Sequence, residues 1–428
     1  MSTPIEVFKF GGASVMNAGA VRNMASIIKN SKKDNLLIVI SAMGKITNKL
    51  EELTHAYILG QDNTTELLDE IKAYHFQILN DLFSDSHHPV FNDVANSFVE
   101  IEWLLEEEAS DAPDYIYDQI VSVGEMLSTK IVAAYLNENE VPVTWLDVRN
   151  FIKTDNTYRE GKVDWDKTTI AIQKHLVPLL QKGIAITQGF IGSTSENFST
   201  TLGREGSDYS AAIFSACLDA SALTIWKDVP GVLNADPKWF DKTELIPQLS
   251  YHDAVELTYY GATVIHPKTI KPLENKKIPL YVKSFVHPEK EGTLINGENC
   301  SLPVPSFIFK VNQVLISISS RDFSFIIEEN LSHIFSLFHL HKVKVNMMQN
   351  SAISFSVIVD HDREQVNNLI ADLKTLYTVK YNAHLELVTI RYYNDETISR
   401  ITLNKDILLQ VKSRYTCQMV MKDKSAVE

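Results

Sequence analysis

The chain has 428 residues, of which 45% are hydrophobic and 22% charged, and its 40 basic and 54 acidic residues give a formal net charge of −14. This balance is typical of a globular protein of two or three domains, and the negative charge argues against a nucleic-acid partner. No apolar run approaches the ~20 residues that span a bilayer, and no signal peptide is recognisable, so we expect a cytoplasmic protein without a membrane segment. The scattered cysteines indicate neither a zinc site nor a disulfide framework.

The first predicted strand, residues 5–10, contains Lys9 near its end and leads into a helical run at residues 17–29. Small residues separate the two: Gly11, Gly12 and Ser14. Glycine lets backbone N–H groups approach a phosphate, a helix N-terminus adds partial positive charge, and Lys9 supplies a full positive charge. The pattern indicates an anion site for a phosphoryl group, or else an ordinary strand–turn–helix corner with a surface lysine.

A continuous apolar run, residues 36–40, is typical of a central parallel strand. Ser41 and Thr47 follow it at the edge where open α/β sheets bind ligands, although either residue also suits a turn or a helix cap. Residues 48–139 have a helical pattern, in which Glu125 lies next to a glycine on an otherwise apolar face. A buried carboxylate needs a partner, which is either a structural lysine or arginine or the ammonium group of a ligand.

A helix is predicted at residues 165–182 and a strand at residues 184–192. A polar loop, residues 193–201, then leads to a helix whose entrance carries Arg204 and Asp208 among glycines. The planar guanidinium of Arg204 can bind a carboxylate with two hydrogen bonds, and Asp208 suits the first turn of a helix. An ordinary surface arginine is the alternative for Arg204.

The next strand, residues 223–226, runs into a loop rich in lysine, aspartate, proline and glycine. Its charged residues of interest are Lys227, Asp228 and Lys238. Such a loop fits a nucleotide site, and it also fits an ordinary surface turn. A helix is predicted at residues 251–260, and a strand at residues 278–283 closes this part of the chain.

The connector at residues 301–305 contains prolines and marks a domain boundary. Beyond it, residues 314–392 show the order β-α-β-β-α-β, which is typical of a ferredoxin-like unit. A helical stretch within residues 396–412 and a strand at residues 416–422 remain.

Several of these motifs together resemble one known family. The stretch Lys9-Phe10-Gly11-Gly12-Ala13-Ser14 resembles the opening motif of the aspartokinases, within the amino acid kinase superfamily, which usually has threonine at position 13. Four further stretches agree in order: residues 41–48, the helix of Glu125, residues 203–210 and residues 227–238. The C-terminal part is similar to the ACT regulatory region of that family.

The resemblance implies an α/β chain with two parts. Residues 1–300 would form the amino acid kinase catalytic domain, an open and mainly parallel central sheet with helices on both faces. Residues 306–428 would form a ferredoxin-like ACT region of the α+β class. One ACT unit is clear at about residues 312–392, and a second would be shortened or degenerate.

The implied reaction is that of an aspartate kinase, which phosphorylates the β-carboxylate of L-aspartate with MgATP at the entry to lysine, threonine and methionine biosynthesis. The resemblance implies that Lys9 stabilises the transferring phosphoryl group and that Asp208 orients Lys9. Residues implied to contact ATP are Lys9, Gly11, Gly12, Ser14, Lys227, Asp228 and Lys238. Residues implied to hold aspartate are Ser41, Thr47, Glu125 and Arg204, with Glu125 on the ammonium group and Arg204 on the α-carboxylate. Mg²⁺ would bridge ATP oxygens, and no protein side chain is assigned to it.

Departures from the family pattern lead to further expectations. Glu205 replaces a common glycine, and we expect its side chain to point outward because the site binds anions. Thr263 stands where many relatives have a nucleotide-contacting lysine, and we expect Lys227, in place of a frequent threonine, to supply that charge. Lys238 replaces a frequent arginine. Asn346 stands where lysine-sensitive relatives have an effector-binding aspartate, so regulation by lysine or threonine would involve an uncharged amide.

The ACT resemblance also implies a homodimer or larger homo-oligomer. Three other functions remain to be weighed. A kinase acting on another amino acid, such as glutamate, fits less well with the ACT-like region and the opening motif. A catalytically inactive amino-acid sensor would be marked by loss of Lys9, Arg204 or Asp208, and all three are present. A purely structural α/β protein would not need polar residues at the ends of four strands.

Overall fold

The computed structural model describes residues 4–240, 242–262, 265–298, 304–322 and 324–424. The chain divides into two compact units. The first comprises Met1–Val232, Leu245–Val255 and Val264–Cys300, and the second comprises Leu233–Glu244, Glu256–Thr263 and Ser301–Glu428. Two short segments from before residue 300, one of which contains Lys238, therefore belong to the second unit.

The first unit is built on a mainly parallel sheet of eight strands in the order β3-β4-β2-β1-β7-β9-β10-β8, in which only β9 and β10 are antiparallel neighbours. Its strands are β1 Glu6–Phe10, β2 Leu36–Ile40, β3 Val143–Leu146, β4 Ile184–Gln188, β7 Ala222–Lys227, β8 Gln248–Ser250, β9 Leu280–Ser284 and β10 Thr293–Asn296. A separate antiparallel hairpin pairs β5 Ile191–Ser193 with β6 Ser199–Thr201. Every residue of β2 is buried, as expected for a parallel strand covered on both faces.

The first unit also contains helices, and apolar residues of the first six share one core with strands of this sheet. The helices are α1 Ala18–Ser31, α2 Ile46–Ile58, α3 Thr64–Leu82, α4 Pro89–Glu106, α5 Pro113–Val121, α6 Val123–Glu138, α7 Trp165–Ala171, α8 Val177–Leu180, α9 Gly206–Leu218, α10 Tyr251–Tyr260, whose C-terminal half belongs to the second unit, and α11 Pro267–Lys276. Helix α9 is buried along nearly its whole length, which places it in the interior of the unit.

Two predicted elements of this unit differ from the structure. The predicted helix at residues 165–182 is interrupted by a π-helical turn, Ile172–Leu176. Pro178 follows this turn and lacks the N–H that would continue the regular ladder, which gives a physical reason for the interruption. The predicted polar loop at residues 193–201 contains the hairpin of β5 and β6, whose threonines are buried with hydrogen-bond partners, as in the 2.7 Å contact between the hydroxyls of Thr154 and Thr200.

The second unit carries an antiparallel sheet of six strands in the order β12-β13-β11-β14-β16-β15. Its elements are β11 Ser306–Ser319, α12 Glu328–Leu340, β12 Val345–Asn350, β13 Ser354–Asp360, α13 Arg363–Leu376, β14 Thr378–Arg391, α14 Asp395–Thr402, β15 Lys405–Lys412 and β16 Thr416–Asp423. The first six of these confirm the predicted β-α-β-β-α-β order.

The predicted helical stretch within residues 396–412 corresponds to α14, and the rest of that range forms strand β15, which was not predicted. Its apolar residues fit either period, and antiparallel pairing with β16 selects the strand. Among the described residues, no helix is long and apolar enough to cross a membrane.

Candidate active site

A buried carboxylate joins two lysines where strands β1 and β7 lie side by side. Asp208, in the first turn of α9, is 3% exposed. Its Oδ1 lies 2.6 Å from the Nζ of Lys9 in β1, and its Oδ2 lies 3.2 Å from the Nζ of Lys227 at the end of β7. One carboxylate therefore holds two ammonium groups, and all three side chains line a cavity of about 680 Å³.

The walls of this cavity mix positive and negative side chains. The basic residues that line it are Lys9, Arg159, Arg204 and Lys227, and the acidic ones are Glu51, Glu125, Glu160, Glu205 and Asp208. Ser41, Thr47 and Ser207 contribute hydroxyl groups. Such a lining suits a ligand that carries both an ammonium group and several negative charges.

The lysines and the aspartate of the central cluster stabilise one another's charge. Burial opposes the charge on Asp208, but Lys9 and Lys227 together outweigh it and lower the pKa of this carboxyl. Burial likewise opposes the charge on Lys227, while the carboxylates of Asp208 and Glu205 raise its pKa overall. The site therefore presents two fixed ammonium groups to its ligands before any ligand arrives.

Glu125 is a second buried carboxyl group in the same cavity, 2% exposed. Its Oε1 accepts a hydrogen bond of 3.1 Å from the N–H of Ala42, and its Oε2 has no hydrogen-bond partner among the described residues. Burial raises the pKa of this group to about 8. Gly124 explains the close packing, because a Cβ there would lie 3.0 Å from Leu50 and 3.1 Å from Ala42.

No lysine or arginine forms an ion pair with Glu125 among the residues that the structure describes. A structural basic partner was one of the two alternatives for this carboxylate, and the described residues do not supply it. An unpaired oxygen facing a cavity favours the other alternative, the ammonium group of a ligand.

Ser41 and Thr47 lie where strand β2 gives way to helix α2, and both line the cavity. The residue that caps α2 is Lys45, and neither hydroxyl has a hydrogen-bond partner within the described ranges. Their alternative roles as cap or turn former are therefore not seen. Both hydroxyls are available to a ligand.

Arg204 and Glu205 both line the cavity, but the side chain of Glu205 does not have the orientation that we expected. Arg204 lines the cavity and has no ion pair in the described part of the chain, so its guanidinium is available to a carboxylate. The expected outward orientation of Glu205 is wrong, because its Oε2 is buried in the cavity wall without a hydrogen-bond partner among the described residues. Glu205 precedes α9 with a left-handed backbone, φ +53°, and the first turn of that helix faces the cavity.

The glycine turn after β1 is packed against the loop that follows β2. A Cβ on Gly12 would lie 2.6 Å from the carbonyl oxygen of Gly44 and 2.9 Å from that of Ala42. The turn is a 3₁₀ helix, Gly12–Val15, in which Ser14 is buried. Gly11 precedes it beside the ammonium of Lys9, which lies 3.5 Å from where a Gly11 Cβ would be.

The predicted helical run at residues 17–29 corresponds to helix α1. Helix α1 begins only at Ala18, and the side chain of Asn17 caps it by accepting a 2.9 Å hydrogen bond from Ala20. A side-chain cap satisfies the N–H groups that a phosphate would otherwise bind. The 3₁₀ turn, rather than α1, is the backbone next to Lys9.

The residues that line the cavity do not include five of those predicted to contact the nucleotide, which are Gly11, Gly12, Ser14, Asp228 and Lys238. Asp228 is exposed directly after β7. Lys238 is exposed in a segment of the second unit, where its N–H donates a 2.9 Å hydrogen bond to Asp236. Thr263 lies outside the described residues.

Asn346, the predicted effector residue, is engaged within the second unit. Its Oδ1 accepts a 2.8 Å hydrogen bond from the ammonium of Lys310. Its Nδ2 donates to Gln313 at 2.8 Å and to Asp360 at 3.0 Å. Both N–H groups of the amide are therefore used internally, and an internal cation already occupies its oxygen.

The sequence analysis did not identify Arg159, which lines the cavity together with Tyr117 and Glu51. The guanidinium of Arg159 lies 4.0 Å from the ring centroid of Tyr117, whose hydroxyl donates a 2.5 Å hydrogen bond to Glu51. The N–H of Arg159 in turn donates to the buried carboxyl of Asp118, whose pKa burial raises to about 6. These residues come from three separate stretches, and no local motif joins them.

Comparison with known proteins agrees with this geometry. The model of the amino acid kinase family matches residues 4–284. Lysine-sensitive aspartokinase 3 of Escherichia coli (strain K12) is 31% identical over 402 residues, which cover 90% of this chain and 86% of that protein. The chain belongs to the aspartokinases of the amino acid kinase family.

Solved structures give the same result for this aspartokinase. E. coli aspartokinase III in complex with aspartate and ADP is 28% identical, with a TM-score of 0.82 over 99% of this chain and 97% of that one. The same protein in complex with lysine and aspartate has a TM-score of 0.83 at 28% identity, over 99% and 96% of the two chains. The bifunctional aspartokinase/homoserine dehydrogenase of Buchnera aphidicola is 34% identical over 307 residues, and the match spans only 37% of that longer protein.

Proposed function

We propose that the cavity at Lys9, Asp208 and Lys227 transfers the γ-phosphoryl group of MgATP to the β-carboxylate of L-aspartate. A carboxylate oxygen of aspartate forms the new bond to the γ-phosphorus, and the bond from that phosphorus to the bridging oxygen of ADP breaks. The products are 4-phospho-L-aspartate and ADP. No proton moves, because the attacking carboxylate is already ionised at neutral pH.

The observation that carries this proposal is that two ammonium groups and the buried carboxyl group of Glu125, one oxygen of which has no hydrogen-bond partner among the described residues, line one cavity. Lys9 and Lys227 face the charge that develops on the transferring phosphoryl group, and Asp208 positions both. Glu125 binds the ammonium group of aspartate, Arg204 binds its α-carboxylate, and Ser41 and Thr47 orient it. Catalysis then consists of positioning and electrostatic stabilisation.

The remaining nucleotide contacts are proposed at Gly11, Gly12, Ser14, Asp228 and Lys238. Mg²⁺ would bridge the phosphate oxygens and neutralise part of their charge. Its preferred donors are oxygens, and the wall of the cavity offers the carboxylate of Glu160. No group of three or more His, Cys, Asp or Glu side chains among the described residues is arranged to hold a metal ion, so ATP itself would supply most of the ligands.

Regulation through the second unit is also proposed. The unit has the β-α-β-β-α-β order of an ACT region, and the E. coli structure was determined with lysine. The oxygen of Asn346 already accepts a hydrogen bond from Lys310, so lysine or threonine bound at this amide would share that oxygen with Lys310 or displace it. We further propose a cytoplasmic homo-oligomer that associates through this region, with a catalytic part at residues 1–300 and a regulatory part at residues 306–428.

The test is a pair of assays, one with L-aspartate and one with L-glutamate, in which purified protein is incubated with ATP and Mg²⁺ and hydroxylamine traps the acyl phosphate. We expect hydroxamate with L-aspartate, much less with L-glutamate, and none above background with Lys9→Met. Hydroxamate formed preferentially with glutamate would show a different amino acid kinase. No hydroxamate with either substrate, while lysine or threonine still raises the melting temperature, would favour an amino-acid sensor.

A further inference from the structure

Asp118 is a buried carboxyl group that accepts hydrogen bonds from two other segments of the chain. It lies on helix α5 and is fully buried. Its Oδ1 accepts a 2.7 Å hydrogen bond from the hydroxyl of Thr201. Its Oδ2 accepts two bonds of 2.9 Å, one from the N–H of Thr201 and one from the N–H of Arg159. Three donors therefore converge on a side chain that does not itself line the cavity.

The two segments that donate to Asp118 also contact each other. The N–H of Gly161 donates a 2.8 Å hydrogen bond to the carbonyl of Thr201. A Cβ on Gly203, which has a left-handed backbone of φ +75°, would lie 3.3 Å from the carbonyl oxygen of Arg159. Arg159 itself has φ +64°, a conformation that a residue with a side chain keeps only when its surroundings fix it. The two segments therefore form one junction around Asp118.

Each of these segments brings an arginine to the cavity. Arg159 lies in the first, and Arg204 comes just after the second. The guanidinium of Arg159 lies 4.0 Å from the ring centroid of Tyr117 and 3.5 Å from the carboxylate of Asp114. Both of these residues belong to α5, as Asp118 does. One helix therefore contacts both the backbone and the side chain of Arg159.

We propose that Asp118 is a positioning residue that sets both arginines of the cavity, Arg159 and Arg204, toward a carboxylate of the amino-acid substrate. The inference rests on the proposed kinase function and adds a residue to it. Asp118 acts on Arg159 through the N–H of that residue, and on Arg204 through the strand end that precedes it. It stands to the two arginines as Asp208 stands to the two lysines, and it affects the amino acid rather than the nucleotide.

Asp118 supplies hydrogen-bond acceptors to the junction, and an amide can replace them. Burial raises the pKa of Asp118 to about 6, and the bonds from Thr201 and Arg159 oppose that rise. The ionised form, which predominates at neutral pH, accepts all three bonds. In Asp118→Asn the amide oxygen can accept both N–H groups while the NH₂ group donates to the hydroxyl oxygen of Thr201. Asp118→Ala leaves all three donors without this acceptor.

The experiment measures KM for aspartate and KM for ATP, from the rate of ADP release, in the wild type, Asp118→Ala and Asp118→Asn. We expect KM for aspartate to rise by ~10–100-fold in Asp118→Ala, since a displacement of ~1 Å at a binding group costs up to about that much. It should stay near the wild-type value in Asp118→Asn. KM for ATP should change little in either variant, because Asp208 still holds the lysines.

Asp253→Ala is the matched control for loss of a buried carboxyl group. Asp253 also belongs to the first unit, is 7% exposed, accepts a 2.8 Å hydrogen bond from the hydroxyl of Ser250 and does not line the cavity. We expect this control to lower the melting temperature without changing KM for aspartate. An aspartate KM that rises equally in both alanine variants would overturn the proposal. A parallel rise in KM for ATP in Asp118→Ala, or an asparagine variant as impaired as the alanine one, would overturn it too.

Thr201→Val supplies a second test in case Asp118→Ala does not fold. It removes only the hydroxyl donor and keeps both N–H groups on Asp118, so KM for aspartate should rise by ~2–10-fold, as for the loss of one hydrogen bond. An unchanged aspartate KM would contradict the proposal. Failure of the kinase function is distinguishable, because it would appear as no aspartate-dependent hydroxamate in the wild type. Calorimetric titration with aspartate would then still compare the affinities of the same variants.

Discussion

The substitution Asp208→Asn tests the centre of the site most severely. The amide keeps the shape of the side chain but removes the only charge that lies within 3.2 Å of both Lys9 and Lys227 among the described residues. Leaving one buried charge without its partner typically costs ~3–5 kcal/mol, and part of that cost is avoided if one lysine loses its proton. Loss of a positioned charge in the active site typically lowers kcat by ~10²–10³-fold.

Two measurements on Asp208→Asn follow: stability by urea denaturation and kcat by hydroxylamine trapping at saturating aspartate. Asp219→Asn is the matched control, since Asp219 ends the same helix and pairs with Lys276 at 2.6 Å, but its side chain is 66% exposed. An exposed pair of this kind contributes about 0–1 kcal/mol, so we expect little change. If Asp208→Asn behaved like Asp219→Asn in both assays, the proposed role of the two-lysine cluster would be refuted.

Three further predictions concern single residues. Burial raises the pKa of Glu125 from 4.5 to about 8 in the folded protein. The substrate-free wild type should therefore lose stability relative to Glu125→Gln as the pH rises between these two values, by up to about 1.4 kcal/mol per pH unit. Parallel pH profiles of the two proteins in urea denaturation would contradict this. Gly12→Ala should destabilise the fold by ~1–3 kcal/mol and weaken ATP binding, since the new Cβ would lie 2.6 Å from a backbone oxygen, whereas Gly297→Ala, with its nearest atom at 3.9 Å, should be neutral in the same assays. Lys310→Met frees the oxygen of Asn346 and should strengthen inhibition by lysine in a dose–response assay, and an unchanged curve would argue that the amide does not contact the effector.

Much of the fold follows from local patterns. The apolar run of β2 predicts a central parallel strand because only such a strand is buried on both faces. The elements that sequence reasoning missed depend on distant partners. Strand β15 becomes a strand only because β16 is available to pair with it, and the hairpin of β5 and β6 buries threonines that read as loop residues.

The residues of the candidate site fall into the same two groups, those that local patterns identify and those that depend on distant contacts. Lys9, Glu125, Arg204 and Asp208 could be selected from their positions at strand ends and helix starts, because parallel strands bring such positions to one edge of the sheet. Arg159 could not be found in this way, because it lies outside the helices and strands and contacts Tyr117 and Asp118 of helix α5. The inward position of Glu205 was also beyond sequence reasoning, because charge repulsion alone suggested the opposite orientation.

The internal hydrogen bonds of Asn346 show a further limit of prediction from sequence. Its partners are Lys310, Gln313 and Asp360, which lie on the neighbouring strands β11 and β13. Only the pairing of three strands in register places their side chains together. A motif comparison identifies the position of such a residue, but not whether its polar atoms are already used.

The most direct test of the central claim is a crystal structure with L-aspartate and a non-hydrolysable ATP analogue. We predict the aspartate ammonium within hydrogen-bond distance of Glu125 Oε2, its α-carboxylate on Arg204, and the γ-phosphate in contact with both Lys9 and Lys227. Aspartate bound elsewhere in the cavity, with its ammonium away from Glu125, or a γ-phosphate that contacts neither lysine, would contradict the account.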